Sequence, residues 1–219
     1  MSYIRHTIVS IDQGKKDSLL PHLTAQLDAF QSTAGLIGLR IVDAADNRMV
    51  VTAVYEDKQS ADAASQKASG VRDGASAFVT EEPVVREGEV AWRYLAEGVE
   101  NRPAMPGYAR HIAVAYDPSK FEAMLAYMDS QTDLCKSIDG LRRILVAPVS
   151  GSENHPRLQD RIGNLDHRMM VTVGYDSKAQ SESARGKVNT FWESLAEFLT
   201  DEPRILEGNF VYGYSHIRN

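Results

Sequence analysis

The second half of the chain repeats the first half. Residues 3–9 (YIRHTIV) return at residues 108–114 (YARHIAV), and residues 48–55 (RMVVTAVY) return at residues 168–175 (RMMVTVGY). Two shorter blocks follow in the same order, residues 80–83 (TEEP) with residues 200–203 (TDEP) and Glu87-Gly88 with Glu207-Gly208. One folding unit is therefore encoded twice, and the fold is limited to pairings of two similar units.

The spacing of these blocks predicts the domain boundaries. The first block is displaced by 105 residues and the later blocks by 120, so the second copy has 15 additional residues between Leu141 and Arg168. We predict a first repeat over residues 1–96, a linker over residues 97–107 that contains two prolines, and a second repeat over residues 108–219. The additional residues predict a long hairpin loop near residues 148–167.

Within each repeat, the hydrophobic periodicity predicts the order β-α-β-β-α-β. The first strands are the short, branched runs 3–11 and 108–116, and each is followed by a helix with one apolar face. Gly35 and Gly140 come next, where the end of a helix favours a left-handed residue. The remaining elements are a hairpin (36–44 with 49–55, and 141–149 with 168–175), a second helix, and a last strand over residues 84–95 or 204–217.

The second helix differs in composition between the two copies. In the later copy, seven apolar side chains at helical spacing form one stripe: Ala184, Val188, Phe191, Trp192, Leu195, Phe198 and Leu199. The corresponding segment of the earlier copy, between Ala61 and Val79, is rich in Ala, Ser and Gly. The sequence therefore predicts this helix more weakly in the first copy.

The predicted order is that of the ferredoxin-like α+β unit, in which two helices cover one face of four antiparallel strands. Aromatic side chains alternate along the last strands, namely Trp92 and Tyr94 in the first copy and Tyr212 and Tyr214 in the second. Left in water, such rows would favour aggregation. We therefore predict two tandem ferredoxin-like repeats whose antiparallel sheets pack as an intrachain α/β barrel, with either a packed core or a ligand cavity between the sheets.

Composition and charge exclude several classes of partner. The chain has 24 Lys+Arg against 30 Asp+Glu, a net charge of −6, which argues against binding to nucleic acid or to anionic lipid. The single cysteine, Cys135, predicts no internal disulfide. No apolar run reaches the roughly 18 residues that span a bilayer, and the first residues lack the pattern of a signal peptide. We expect a cytoplasmic protein without membrane contact.

Motifs for nucleotide, zinc and serine-hydrolase chemistry are also missing from the sequence. There is no G-x-G-x-x-G, G-x-x-x-x-G-K-[ST], H-E-x-x-H or G-x-S-x-G pattern. The six histidines show no metal-ligand spacing. We therefore expect no metal centre.

Several features carry a resemblance to a known family. They are the strand–helix–Gly–strand pattern, the hairpin strands that end in residues 55–58 (YEDK) and 175–178 (YDSK), and the aromatic last strands. On these features the chain resembles tandem antibiotic-biosynthesis-monooxygenase-like proteins of the dimeric α/β-barrel superfamily, with Tyr in both places where that family has Trp. The first strand, residues 4–9 (IRHTIV), also resembles that of stress-responsive α/β-barrel proteins, which include cyclases with a catalytic His on this strand.

The same resemblance shows where the chain departs from the family. Many of the monooxygenases have a His early in the second helix, where this chain has Ala64 and Ala184. Members that degrade haem need a Trp and a His on this helix, and these positions fall near Ala64 and Gly74 and near Ala184 and Ser194. The resemblance therefore implies chemistry without haem, and we expect no cofactor.

His6 and His111 are the candidate catalytic residues. Each alternates with apolar neighbours along its strand, so each lies on one face of its sheet. A neutral imidazole could accept a phenolic proton inside the barrel. The alternative is a hydrogen-bonded structural His that was copied with the rest of the strand.

Arg5, Arg110 and the aromatic side chains are the candidate substrate-binding residues. Each Arg points away from its neighbouring His and could bind a carboxylate or an enolate, or could pair with an acidic side chain at the sheet edge. Trp92, Tyr94, Tyr212 and Tyr214 could line a cavity for a flat ligand, or could be core.

The resemblance implies a cofactor-independent monooxygenase that acts on a small aromatic or polyketide-like molecule. Two alternatives stay open: a non-enzymatic small-molecule-binding or stress-response protein, and a cyclase or isomerase that uses the first-strand His. The sequence also leaves open whether two such chains form a homodimer.

Overall fold

The first half of the chain forms five strands and two helices. A computed structural model describes residues 2–99, 105, 107–150 and 167–215. The elements of the first half are β1 (Tyr3–Ser10), α1 (Lys16–Gln31), β2 (Leu36–Ala44), β3 (Arg48–Tyr55), α2 (Lys58–Ala75), β4 (Val84–Glu89) and β5 (Trp92–Leu95). The last strand, predicted as one element over 84–95, is interrupted at Val90 and Ala91.

The second half follows the same order, with each helix divided in two. Its elements are β6 (Tyr108–Ala115), α3 (Phe121–Ser130), α4 (Thr132–Lys136), β7 (Leu141–Val149), β8 (Arg168–Tyr175), α5 (Lys178–Ser183), α6 (Arg185–Leu195) and β9 (Arg204–Ser215). Most of the predicted loop at 148–167 and most of the predicted linker at 97–107 lie outside the described residues.

Local residue chemistry ends and joins these elements, and the two glycines behave as the sequence predicts. Gly35 and Gly140 have φ values of 73° and 71°, the left-handed conformation expected after the first helix of each half. The β2–β3 hairpin turns through Asp46 and Asn47, both with positive φ. Asp57 caps α2 by accepting a hydrogen bond from the Ser60 backbone N–H at 2.8 Å.

The nine strands of the described residues form one antiparallel sheet, and the protein is α+β. The strand order is β4-β1-β3-β2-β9-β6-β8-β7-β5. The sequence predicted two sheets that pack face to face, whereas the halves join edge to edge, because β9 pairs with β6 along its first part and with β2 along its second part. The long last strand is therefore the element that connects the two halves.

The two ends of this sheet meet each other. β4 pairs with β1 and β5 pairs with β7, although only two residues separate β4 from β5. Glu87 and Ser150 exchange backbone hydrogen bonds of 3.0 and 2.9 Å across this junction. The sheet is thus curled, with a helix-covered outer face and an enclosed inner face.

Apolar clusters on the inner face combine side chains from both halves. One cluster joins Val42 and Val50 to Ala109 and Phe210, and another joins Ile4 and Val54 to Ala147. On the outer face, each half has its own core beneath its helices. Among the described residues, no helix combines the length and the apolar character that crossing a membrane requires.

The aromatic side chains of the last strands do not lie inside the curled sheet, where the sequence analysis placed them. Trp92 and Tyr94 belong to the outer core of the second half, and Tyr212 and Tyr214 pack against that of the first half. Because each last strand crosses to the other half, its outward-facing side chains are covered by the other half's helices.

Gly88 and Gly208 lie where the last strands pass between the halves, and we predict that neither tolerates a side chain. A Cβ would stand 1.8 Å from the Pro148 carbonyl oxygen at Gly88 and 1.8 Å from the Asp43 carbonyl oxygen at Gly208. Each Gly→Ala substitution should therefore lower the free energy of unfolding by roughly 1–3 kcal/mol or more, measured by urea denaturation.

Gly70→Ala is the matched control, because a Cβ at Gly70 in α2 meets nothing within 4 Å. It should leave stability unchanged or raise it by up to about 1 kcal/mol. Equal stability of the Gly88→Ala, Gly208→Ala and Gly70→Ala proteins would contradict the close strand crossing.

Candidate functional site

The first half contains a cavity of about 350 Å³ between the outer face of the sheet and helices α1 and α2. Its walls are mainly apolar, and they include Leu39, Ile41 and Met49 from the strands and Leu23, Val71 and Ala75 from the helices. A cavity of this volume and character suits a small apolar molecule.

The composition of α2 explains why the cavity exists. Val71 and Ala75 stand at the positions that Phe191 and Leu195 occupy in α6, given the 120-residue displacement of the repeat. At the corresponding place in the second half, Phe191 and Trp192 leave a cavity of only about 40 Å³. The Ala/Ser/Gly-rich segment predicts only a weak helix from the sequence. In the structure, its small side chains leave room for a ligand.

A group of polar side chains forms one end of the first-half cavity. The Arg5 guanidinium donates from Nε to Glu87 Oε2, and from Nη1 to the Ala61 carbonyl oxygen at 2.9 Å and to Ser65 Oγ at 2.7 Å. The guanidinium carbon also lies 5.9 Å from the centre of the Tyr55 ring. The cavity therefore has one charged, hydrogen-bonding end and otherwise apolar walls.

The phenols at this end stay protonated at neutral pH. Burial, followed by the charge of Glu87, raises the pKa of Tyr3 to about 12. Burial also raises the pKa of Tyr55, partly offset by Arg5. Tyr55 lines the cavity and keeps its proton for a ligand, whereas Tyr3 is not part of the lining and interacts with Glu87.

The second half keeps the arginine, the glutamate and the two tyrosines, and the cavity that its described residues form beside Arg110 is only about 40 Å³. Arg110 donates from Nε to Glu207 Oε2 at 2.7 Å, and burial raises the pKa of both Tyr108 and Tyr175. The Arg–Glu pair thus occurs in both halves, and among the described residues the larger space next to it lies in the first half.

His6 and His111 meet in the enclosed interior, on the opposite face of the sheet from the cavity. Their exposed fractions are 0% and 2%, and their ring centres are 5.3 Å apart. The Thr172 hydroxyl lies 3.3 Å from both His6 Nε2 and His111 Nδ1, and Thr52 Oγ1 lies 3.0 Å from His6 Nδ1. The two halves therefore contact each other through a polar layer at the centre.

Burial keeps both imidazoles neutral. It lowers the pKa of His111 to about 4, and together with the nearby His111 it lowers the pKa of His6 well below the usual value. Neither His lines the first-half cavity. Their predicted role as catalytic bases stays a prediction.

The aromatic candidates have polar contacts outside the first-half cavity. Trp92 Nε1 donates to Asp129 Oδ1 at 2.6 Å, and the Tyr214 hydroxyl donates to the Gln31 carbonyl oxygen at 3.2 Å. The Gln31 side chain donates to the Tyr212 hydroxyl at 3.0 Å. These contacts anchor each last strand to a helix of the other half.

Glu87, Ser65 and Tyr55 lie at the site but are not among the residues that the sequence predicts for it. Glu87 and Tyr55 belong to repeated blocks and were used only as landmarks, although their recurrence with Arg5 was a usable signal. Ser65 had no such signal. Within the described ranges, no three His, Cys, Asp or Glu side chains are grouped so that they could hold a metal ion.

Comparisons with known proteins show what this fold is similar to. No family model matches the chain, and no curated protein matches its sequence. A "putative monooxygenase" from Fusobacterium nucleatum superposes with a TM-score of 0.73 at 8% identity, covering 98% of this chain and 94% of that chain. A "putative monooxygenase" from Lactobacillus acidophilus gives a TM-score of 0.70 at 9% identity, with coverages of 98% and 96%.

An "anthrone oxidase-like protein" gives a TM-score of 0.68 at 14% identity, covering 99% of this chain and 94% of that chain. Similarity over nearly the full length at such low identity shows a shared fold. The reaction has to be argued from the site.

We predict that His6 and His111 make the protein less stable in acid. The unfolded chain takes up protons on both imidazoles below about pH 6.5, whereas the folded protein resists protonation down to the lowered pKa. Unfolding by urea at pH 5 should therefore require about 2 kcal/mol less than at pH 7.5 from His111 alone.

His111→Leu should reduce this difference between pH 7.5 and pH 5, and His22→Gln on α1 serves as the control. If the difference were the same in wild type, His111→Leu and His22→Gln, burial of a neutral His111 would be wrong.

Proposed function

We propose that the chain is a tandem antibiotic-biosynthesis-monooxygenase-like protein, in which two ferredoxin-like repeats close one α/β barrel and the first repeat holds the binding site. The ligand is a small aromatic or polyketide-like molecule. The 350 Å³ cavity with its Arg5–Glu87 end carries this proposal. The full-length structural similarity to proteins described as monooxygenases supports it.

The proposed reaction is oxidation by O₂ without a cofactor. In a substrate of the anthrone type, a methylene next to a phenol-bearing ring becomes a carbonyl: one oxygen atom of O₂ enters the product and the other leaves as water. Removal of a proton first gives an electron-rich anion, which transfers an electron to O₂. The protein then has to accept that proton and stabilise the anion.

The groups at the polar end match these two tasks. The Glu87 carboxylate, in the cavity wall, is positioned to accept the proton. The Arg5 guanidinium and the neutral Tyr55 phenol can stabilise the negative oxygen of the substrate. The apolar walls keep water from competing for the reactive anion.

The predicted catalytic role of His6 and His111 is not part of this proposal, because neither side chain reaches the first-half cavity. Because His6 and Arg5 are adjacent in β1, their side chains lie on opposite faces of the sheet. A substrate in the first-half cavity therefore does not meet either imidazole, and Glu87 takes the role of base.

Filling the cavity should abolish ligand binding without damaging the fold. Val71→Phe/Ala75→Leu introduces the side chains that α6 has at the equivalent positions, Phe191 and Leu195. The second half therefore shows that a helix in this place accommodates them. We expect binding of a fluorescent hydroxyanthraquinone, measured by titration, to weaken at least 100-fold because the side chains take the ligand's place. The free energy of unfolding should stay level or rise.

The reciprocal variant, Phe191→Val/Leu195→Ala, is the matched control. It enlarges the second-half cavity and should leave binding in the first half within about twofold of wild type. Unchanged binding in Val71→Phe/Ala75→Leu would exclude the first-half cavity as the binding site.

Glu87→Gln tests the chemistry independently of binding. Removing a general base should slow O₂ consumption with an anthrone by about 10²–10⁴-fold, while ligand binding changes only a few-fold. Glu207→Gln removes the equivalent carboxylate in the second half and should leave the rate unchanged. If Glu87→Gln consumes O₂ at the wild-type rate, Glu87 is not the base. If His6→Gln slows O₂ consumption and Glu87→Gln does not, His6 is the base.

A non-enzymatic binding protein is the competing function, and one observation favours it. The Arg5 guanidinium already contacts Glu87, Ala61 and Ser65, so a bound anion has to share its donors. Tight binding in the cavity without O₂ uptake across a panel of hydroquinones and anthrones would establish this alternative.

A further inference from the structure

Two arginines face the enclosed inner side of the sheet. In β2, Leu39 and Ile41 line the outer cavity, so Arg40 between them points inward. In β7, Ile144 and Val146 belong to the outer core, whereas Leu145 packs with Ile4 and Val54 inside, so Arg143 shares the inner face with Leu145. Two cationic side chains are thus directed into the same interior.

Neither guanidinium has a counterion among the described residues. Arg40 is 7% exposed, its Nε is buried without a hydrogen-bond acceptor, and no described carboxylate pairs with its side chain. The Arg143 side chain is partly exposed, and it has no hydrogen bond or ion pair in the part of the chain that the structure describes. A buried charge without a partner strongly destabilises a fold, so Arg40 calls for an anion, whereas Arg143 is only partly buried.

A third arginine adds to the positive potential. Arg142 is 3% exposed and donates from Nε to Asp176 Oδ1 at 2.5 Å. Burial, together with the charge of Arg142, lowers the pKa of Arg40 to about 10, and burial with both neighbouring arginines lowers that of Arg143 to about 9.

We propose that Arg40 and Arg143, supported by Arg142, bind a small oxyanion from solution, such as phosphate, sulfate or a carboxylate, inside the curled sheet. Guanidinium groups present paired N–H donors whose geometry matches two oxygens of such an anion. The site lies on the opposite face of the sheet from the first-half cavity. It therefore stands independently of the proposed oxidation.

Comparison of the two repeats shows that the proposed site needs one arginine from each half. At the 105-residue displacement, the second half has Leu145 at the place of Arg40, and the first half has Gly38 at the place of Arg143. Each half thus contributes one arginine that the other half lacks. The same comparison provides substitutions that a copy of the fold already accommodates, Arg40→Leu and Arg143→Gly.

The test compares thermal unfolding in phosphate and in chloride at equal ionic strength and pH 7.5. Binding to the folded state should raise the Tm of wild type by roughly 5 °C in saturating phosphate. Arg40→Leu and Arg143→Gly should lose this rise. Arg185→Leu removes an exposed arginine of α6, on the outer side of the sheet, and should keep it, which also corrects for the general stabilising effect of phosphate.

Ion chromatography of the acid-denatured protein after dialysis into chloride detects an anion that was already bound. Either a phosphate response that depends on Arg40 and Arg143, or one equivalent of oxyanion released from wild type and not from Arg40→Leu, supports the site. Two results would overturn the proposal and leave the chain's own carboxylates as the partners. In the first, wild type shows neither property. In the second, Arg40→Leu shows the same rise in Tm as wild type and releases the same amount of oxyanion.

Discussion

The exchange of the last strands between the halves is the interaction on which the rest of the structure depends. β9 continues from β6 to β2, and β4 and β5 connect β1 to β7, so neither half has a complete sheet without the other. This pairing uses backbone hydrogen bonds and requires glycine where strands cross at Gly88 and Gly208. It also explains why aromatic side chains of one half lie beneath the helices of the other half, and why His6 and His111 meet in an enclosed interior.

Much of this architecture could be predicted from the sequence, because it is written in local signals. The repeat, the strand and helix order, and the left-handed glycines after the first helices are all visible as spacing. Edge-to-edge joining was not predicted, since periodicity shows which residues share a face of a strand but not which strand is its neighbour. The sequence predicts that the aromatic side chains of the last strands are buried. Because the strands are exchanged, helices of the other half bury them, and not a second sheet.

The site was harder to predict than the fold, and Arg5 and His6 show why. The two residues are adjacent, so alternation places them on opposite faces, and sequence alone does not say which face borders open space. The repeated His drew attention to the inner face, where both imidazoles are buried. The absence of large side chains along α2 was the informative signal for the outer face, and a missing side chain is less conspicuous than a titratable one. Glu87 and Tyr55 could have been identified, since both recur with Arg5 in the repeat.

Strand exchange also explains how the two halves can differ in their helices without losing the shared sheet. Closure depends on backbone pairing and on the inner face, to which α2 and α6 contribute nothing, so their side chains can change independently. An open cavity of about 350 Å³ in a packed core would cost several kcal/mol through lost contacts. In the second half, Phe191, Trp192 and Leu195 fill the equivalent space and stabilise the outer core. Because the halves share one sheet, that core stabilises the whole chain, and the first half can keep a cavity that a lone unit of this size would tolerate less well.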